Sequence, residues 1–368
     1  MKVILFIGHH KVGSSSLQRF LAQNQGALLR AGILYPSVES QGFCQNLKTA
    51  LGAGGPGPRA PLNVLEPHNA LAFRMLADAG CGPVPAYHPG LPHSWQMWRA
   101  IDSQIAAFSP RALILCAEVF ANFPAAGPQP LQVLARALSG REVRILCTLR
   151  RPDDYLVAWH GQRLKFGHRL TPLRQGAQRQ YYKTVHFDYA MMLAGWRAAF
   201  PEAEILLRSY DEVRAAGGAI ADFLDRAGVR FPQNLPRPPD ANRSLARAFF
   251  EVARRANHEL SAPAARSLRD FLLALPNMPF AGEDRQTEMF GEQNRAELVT
   301  RFAPVERALA ESFRAGAPLF GPPEAMATPR PHPEMLVARA ALARLARVLP
   351  SQPLGAEERA FLAGLDLG

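Results

Sequence analysis

Between Gly8 and Leu21 the chain reads GHHKVGSSSLQRFL. Gly8 and Gly13 bracket a lysine, Lys11, and three hydroxyls follow at Ser14, Ser15 and Ser16. Such a set suits an oxyanion, because the ammonium supplies charge while hydroxyls and glycine-rich backbone N–H groups meet the oxygens. The lysine stands inside the turn and no magnesium-binding carboxylate is evident nearby. That combination suits a charged transferable group handled without a metal. Two further groups stand out: Glu118, which closes an apolar run, and Arg150, which opens RRPDDYL.

Positioning these residues requires a strand before each of them. Val3 to Ile7 is a short β-prone run, and Leu17, Phe20, Leu21, Leu28 and Leu29 then recur at helical spacing up to Gly32. The loop therefore joins a strand to a helix N-terminus, where free N–H groups and the helix dipole favour an anion. Ile33 to Pro36 reads as a short extended segment. Ala112 to Ala117 and Val143 to Leu149 read as buried strands, with helices predicted over Trp95–Phe108 and Leu131–Leu138. Ala190–Phe200 (helix), Glu204–Tyr210 (strand) and Ile220–Ala227 (helix) continue the alternation. This pattern predicts an α/β fold with a parallel sheet flanked by helices. Ligands of such sheets lie beyond the strand C-termini, where the loop, Glu118 and Arg150 all fall.

The nucleotide loop G-x-x-x-x-G-K-[ST] carries its lysine after the second glycine. Here Ser14 takes that place and the lysine is displaced to Lys11. His10 to Ser16 resembles instead the loop of the sulfotransferases that use PAPS (3′-phosphoadenosine 5′-phosphosulfate). LRRPDDYLVAWHGQRLKFG (149–167) resembles the second nucleotide motif of the bacterial carbohydrate-type members, a P-loop fold. The resemblance covers roughly residues 1–320. It implies that Lys11, Val12, Gly13, Ser14, Ser15 and Ser16 hold the 5′-phosphosulfate. Lys11 would neutralise the bridging oxygen as the bond to sulfur breaks. The family binds the 3′-phosphate with an arginine, matched by Arg150, and with a serine eight residues on at the start of a helix. That serine is Ala158 here, which leaves one hydrogen bond to the 3′-phosphate without a donor. Bisphosphate binding would be weakened by roughly one to two decades.

The implied reaction moves a sulfuryl group from PAPS, as co-substrate, to a hydroxyl of a glycan, glycolipid or small molecule, with no metal. The acceptor hydroxyl needs a general base. Glu118 is the first candidate, with orienting Lys11 or capping a helix as its other role. His10 is the second candidate and His160 a distant third. His68, His88 and His93 read as surface histidines. Two other classes compete: a P-loop kinase or NTPase, which would need a lysine near Ser14 and magnesium ligands, and a non-catalytic sulfotransferase-like nucleotide-binding protein, which the alanine at 158 favours.

The chain has 368 residues, 48% of them hydrophobic, and a formal charge of +11. The basic balance suits anionic ligands, although a general arginine bias accounts for it equally well. No nucleic-acid-binding signature is present. No apolar run approaches the ~18 residues of a membrane span, and no signal peptide is read at the N-terminus. Cys44, Cys81, Cys116 and Cys147 form no C-x-x-C pair. A reduced, cytoplasmic compartment and no metal site are expected.

The organisation read from composition is a domain over 1–320, a Pro-rich linker over 321–334 and a helical tail over 335–368. Residues 40–94 read as a loop-rich insertion, a candidate substrate wall, with a helix around His68–Leu76. The segment 160–187 carries six basic residues and no acid. It reads either as a mobile basic lid or as a solvated face. Asn242 or Ser244 caps a helical stretch that runs to about Arg314. Met335, Ala338, Leu342, Leu345 and Leu349 form an apolar stripe, predicting a docking or homodimer helix.

Overall fold

The computed structural model describes residues 1–57, 60–239, 244–275, 284–348 and 354–367. The proposed cap at Asn242 and the last stripe residue, Leu349, lie outside them. The chain divides into two compact units, one of residues 1–151, 184–242 and 305–320, the other of 152–183, 243–304 and 321–368. Element labels follow chain order through both.

The first unit is a parallel sheet flanked by helices. Its strands are β1 (Lys2–Gly8), β2 (Ile33–Leu34), β3 (Ala112–Cys116), β4 (Glu142–Leu149) and β5 (Glu204–Ser209), in the order β2-β3-β1-β4-β5. All pairings are parallel, with Leu5 opposite Leu115 on one side and Ile145 on the other. Val3, Ile4, Leu5 and Ile7 are wholly buried, as expected of a central strand covered on both faces. The flanking helices are α1 (Ser14–Gln23), α2 (Gln25–Arg30), α3 (Ser40–Ala50), α4 (Leu62–Leu65), α5 (Pro67–Asp78), α6 (Ser94–Phe108), α7 (Pro128–Ala137), α9 (Tyr189–Ala199), α10 (Tyr210–Ala215) and α11 (Ala219–Arg226). A 3₁₀ helix, Glu118–Ala126, follows β3.

Two expectations change here. The first predicted helix breaks in two at Asn24, whose amide donates to the Phe20 carbonyl at 2.8 Å and the Pro236 carbonyl at 2.9 Å. Residues 40–94 are less loop-rich than their composition suggests. Glu39 caps α3 by accepting from the Gln41 and Gly42 N–H groups at 2.7 and 2.8 Å. The Gly/Pro runs fall between helices rather than replacing them.

The second unit is mostly helical: α8 (Pro152–Lys165), α12 (Phe250–Glu259), α13 (Ala262–Ala274), α15 (Glu324–Ala327), α16 (Glu334–Val348) and α17 (Ala356–Gly364), with a parallel pair β6 (Thr287–Glu288) and β7 (His332–Pro333). Helix α14 (Glu292–Phe313) contributes its first part to this unit and its last part to the first. The stretch read as a linker contains α15 and β7, and its Met326 is buried at 4% exposure. The apolar stripe of α16 is used within the chain: Ala338 and Leu345 are wholly buried, and α16 packs on α12 and the turn Arg247–Phe249. The basic segment is anchored. Arg174 pairs with Glu251 at 3.4 Å and Glu334 at 2.5 Å, Arg179 with Glu297 at 2.9 Å, and Arg169 donates to the Asn257 carbonyl at 3.0 Å. Its acidic partners stand far away in sequence, so the segment alone looked unpaired.

Candidate functional site

The loop Gly8–Ser16 leaves the sheet at the C-terminal end of β1. Gly8 has φ 80°, and a Cβ there would meet Glu118 Cα at 2.8 Å. Only glycine accepts that backbone and lets the two strand ends approach. Lys11 also lies in the left-handed region, at φ 63°, and Gly13 follows at φ 88°. For lysine this conformation costs about 1–2 kcal/mol, so the surrounding turn holds the residue there. Val12 is wholly buried and pins the loop to the core, while Lys11, Ser15 and Ser16 keep partial exposure. Helix α1 starts at Ser14 with no side-chain cap and no acidic residue in its first turn. Its first N–H groups and dipole are therefore directed at the loop's concavity.

Arg150 stands just past β4, beside β1 in the sheet. Its Nη1 donates to the Lys11 carbonyl at 3.4 Å, and its guanidinium lies over the Tyr210 ring at 5.3 Å. The Tyr189 hydroxyl donates to the Arg150 carbonyl at 3.0 Å. The loop and the arginine, 139 positions apart in sequence, thus meet at the C-terminal ends of two adjacent interior strands. Ala158 belongs to the second unit, in the second turn of α8 rather than the first. His160 is in that unit too, packed near Phe250 with 6.0 Å between ring centroids. Burial holds its imidazole neutral, down at about 3.

Glu118 opens the 3₁₀ helix after β3, and Gln18 Nε2 donates to its Oε2 at 2.5 Å. His10, 8% exposed, donates from Nε2 to Asn122 Oδ1 at 3.4 Å. Burial lowers its basicity, the Glu118 carboxylate pulls the other way, and Lys11 adds to the lowering. His10 belongs to a ring cluster: His9 lies 5.4 Å from His10, 5.8 Å from His186 and 5.4 Å from Tyr189 between centroids, and His10 lies 5.9 Å from His186. His9 is wholly buried, donates to the Val185 carbonyl at 2.9 Å, and is held neutral by that burial.

Sequence reading overlooked Gln18, Asn122, His186 and Glu66. Gln18 carried the only available signal, as a polar residue on the apolar side of α1. Glu66 precedes α5, and its Oε2 accepts from Asn69 Nδ2 at 2.9 Å. Burial, and then the charge of Glu118, push its carboxyl up to about 7. Two histidines read as surface residues are buried, His68 at 0% and His88 at 2%. His68 donates from Nε2 to the Pro36 carbonyl at 3.2 Å and accepts the Cys116 N–H on Nδ1 at 3.1 Å. It is a structural clamp between α5 and β3, whose apolar surroundings were invisible in a Gly/Pro-rich stretch.

Among the described residues no helix is long and apolar enough to cross a membrane, and no cluster of three or more His, Cys, Asp or Glu side chains could hold a metal. The chain is similar to an uncharacterized protein of Archaeoglobus fulgidus, 33% identical over 150 residues, a match that covers 40% of this chain and 39% of that protein. The aligned stretch is thus well under half of either length. No family model matches the chain. No solved structure matches it either.

Proposed function

We propose that this chain is a PAPS-dependent sulfotransferase of P-loop type, acting on a hydroxyl of a glycan, glycolipid or small molecule. The observation that carries this reading is the meeting of Arg150 with the Lys11 carbonyl at the ends of adjacent strands. It brings the Arg150 guanidinium, from one resembling motif, against the backbone of Lys11, from the other, two residues before the uncapped start of α1 is reached at Gly13. Such an arrangement suits a ligand with two separated anionic groups, as PAPS has. In this reading Lys11 offsets charge on the bridging oxygen in a loose in-line transfer, and Val12 to Ser16 hold the 5′-phosphate. Arg150 holds the 3′-phosphate. Glu118, beside the loop, receives the acceptor's proton; His10, kept neutral by burial, is the alternative.

The test is thermal stabilisation by adenosine 3′,5′-bisphosphate without magnesium, with ATP and magnesium as the comparison. The bisphosphate is expected to raise Tm more than ATP. Magnesium-dependent stabilisation by ATP alone would transfer the protein to the kinase class.

A further inference from the structure

The insertion carries Glu66 to the neighbourhood of Glu118. The link is the His68 clamp. His68 is bonded to the Cys116 N–H at 3.1 Å, so residue 66 stands two positions from one end of that bond and residue 118 two from the other. Helix α5 also packs on the 3₁₀ helix that begins with Glu118, and α1 packs on α4. Each carboxylate is held by a buried carboxamide: Gln18 on Glu118, Asn69 on Glu66.

What distinguishes this neighbourhood is its unused hydrogen-bonding capacity. Gln18 Oε1, Asn69 Oδ1, the Tyr35 hydroxyl and His88 Nε2 are buried without a partner, on side chains 0 to 2% exposed. The two carboxamide oxygens necessarily lie beside the carboxylates, since the nitrogens of the same groups donate to them. Tyr35 feels both carboxylates and His88 feels Glu118. His88 donates from Nδ1 to Asn63 Oδ1 at 2.8 Å, and Asn63 Nδ2 is fixed on the Pro89 carbonyl at 3.0 Å. His88 Nε2 is therefore an acceptor. Leaving buried polar atoms unpaired costs free energy, so four in one place call for a ligand that satisfies them. Tyr87, 48% exposed and within the field of both carboxylates, packs its ring beside His88 with 5.1 Å between centroids.

We propose that Glu66 and Glu118, with Gln18, Tyr35, Asn69 and His88, form a binding site for a neutral, polyhydroxylated ligand, a sugar or similar polyol. The chemistry selects that class. The vacant atoms are mostly acceptors, which hydroxyl groups satisfy, and the Tyr35 hydroxyl answers a ligand oxygen. An anionic sugar would meet two carboxylates and be repelled. An organic cation would meet Arg19, whose charge acts on Glu66, and a Glu66 carboxyl that burial pushes up to about 7. An apolar ligand would leave every vacant atom unpaired. The exposed part of Tyr87 adds apolar surface with a polar tip beside His88. This inference rests on the sulfotransferase reading only in making the ligand the acceptor; the site itself stands on its own atoms.

The experiment is saturation-transfer NMR on the full chain at pH 7. The probes are a set of neutral mono- and disaccharides, glucuronic acid as the anionic counterpart and spermidine as the cationic one. Neutral saccharides are expected to give transfer, with the other two at least tenfold weaker. Glu66→Gln and Tyr35→Phe should each weaken the best saccharide at least tenfold without lowering Tm, since neither removes a bond that holds the fold. Overturning results are no transfer from any neutral saccharide, stronger binding of glucuronic acid or spermidine, or binding unchanged in both variants. Adenosine 3′,5′-bisphosphate is titrated in parallel. Saccharide binding without bisphosphate binding removes the nucleotide reading alone; the reverse removes this inference alone.

Discussion

Asp153 and Glu118 are both carboxylates just beyond a strand, and their surroundings differ completely. Asp153, in the second unit, is 1% exposed and receives Arg295 at 3.3 Å and Arg330 at 3.6 Å. Arg295 also meets Glu288 at 2.7 Å and the Met326 carbonyl at 2.9 Å. Asp154 receives Arg247 at 3.5 Å and Arg330 at 3.7 Å. Charges there are matched by opposite charges. Around Glu118, in the first unit, the partners are carboxamides with vacant oxygens, a second carboxylate and a lysine held in a strained backbone. A matched buried network fixes an arrangement, because removing one member leaves an uncompensated charge. An unmatched one costs stability and is retained where a ligand completes it. The Asp-Asp of RRPDDYL thus belongs to architecture, whereas Arg150 in the same motif points to the loop.

The largest expected effect breaks the matched side. Arg295→Met leaves Asp153 and Glu288 buried without their arginine and should cost about 3–5 kcal/mol of unfolding free energy in urea titration. A loss below 1 kcal/mol would mean that the network is not structural, and the contrast would fail. Next is Lys11→Ala, which should leave Tm nearly unchanged and reduce the proposed sulfuryl transfer by ~10² or more, the scale of one preorganised electrostatic group. Near-normal turnover would remove Lys11 from the chemistry.

Glu66→Gln separates the sides by pH. Its folded carboxyl titrates at about 7 against an ordinary 4.5. The native state therefore holds a proton that the unfolded chain has lost, and stability falls as pH rises from about 4.5 through about 7. Removing the group should raise Tm relative to wild type at pH 8 and change it little at pH 4. Glu334, also near 7 through its burial, contributes a parallel fall that the variant keeps. A Tm difference independent of pH would show that Glu66 does not titrate as described. A smaller effect is expected of Lys11→Gly. Glycine accepts the left-handed backbone freely, so this variant should be about 1 kcal/mol more stable than Lys11→Ala while equally inactive. Equal stabilities would mean that the turn carries no strain at this position.

Much of the sheet was legible because its signals are local. Ala112–Cys116 and Val143–Leu149 are uninterrupted apolar runs, and a parallel strand buried on both faces needs such a run. The loop was legible for the same reason, since Gly8 and Gly13 carry the turn's backbone requirements in their own types, whereas the left-handed backbone at Lys11 was not readable from a lysine. What sequence could not supply were encounters between distant segments. Glu39 as a cap, Asn24 as a break and Glu251 as the partner of Arg174 each depend on a neighbour brought by the fold.

The sequence by itself determined the alternation of strands and helices, the strand-to-helix turn of Gly8–Ser16 and the strand-end positions of Glu118 and Arg150. Periodicity, backbone preference and charge are properties of the residues themselves. Only the tertiary structure decided that Arg150 reaches the Lys11 carbonyl, that Arg174 and Arg179 of the basic segment pair with distant carboxylates, and that His68 is a clamp rather than a surface group. It alone brought Glu66 from the insertion toward Glu118. The physical reason is that burial and hydrogen-bond satisfaction are properties of pairs of atoms, and the chain order does not contain which pairs will meet.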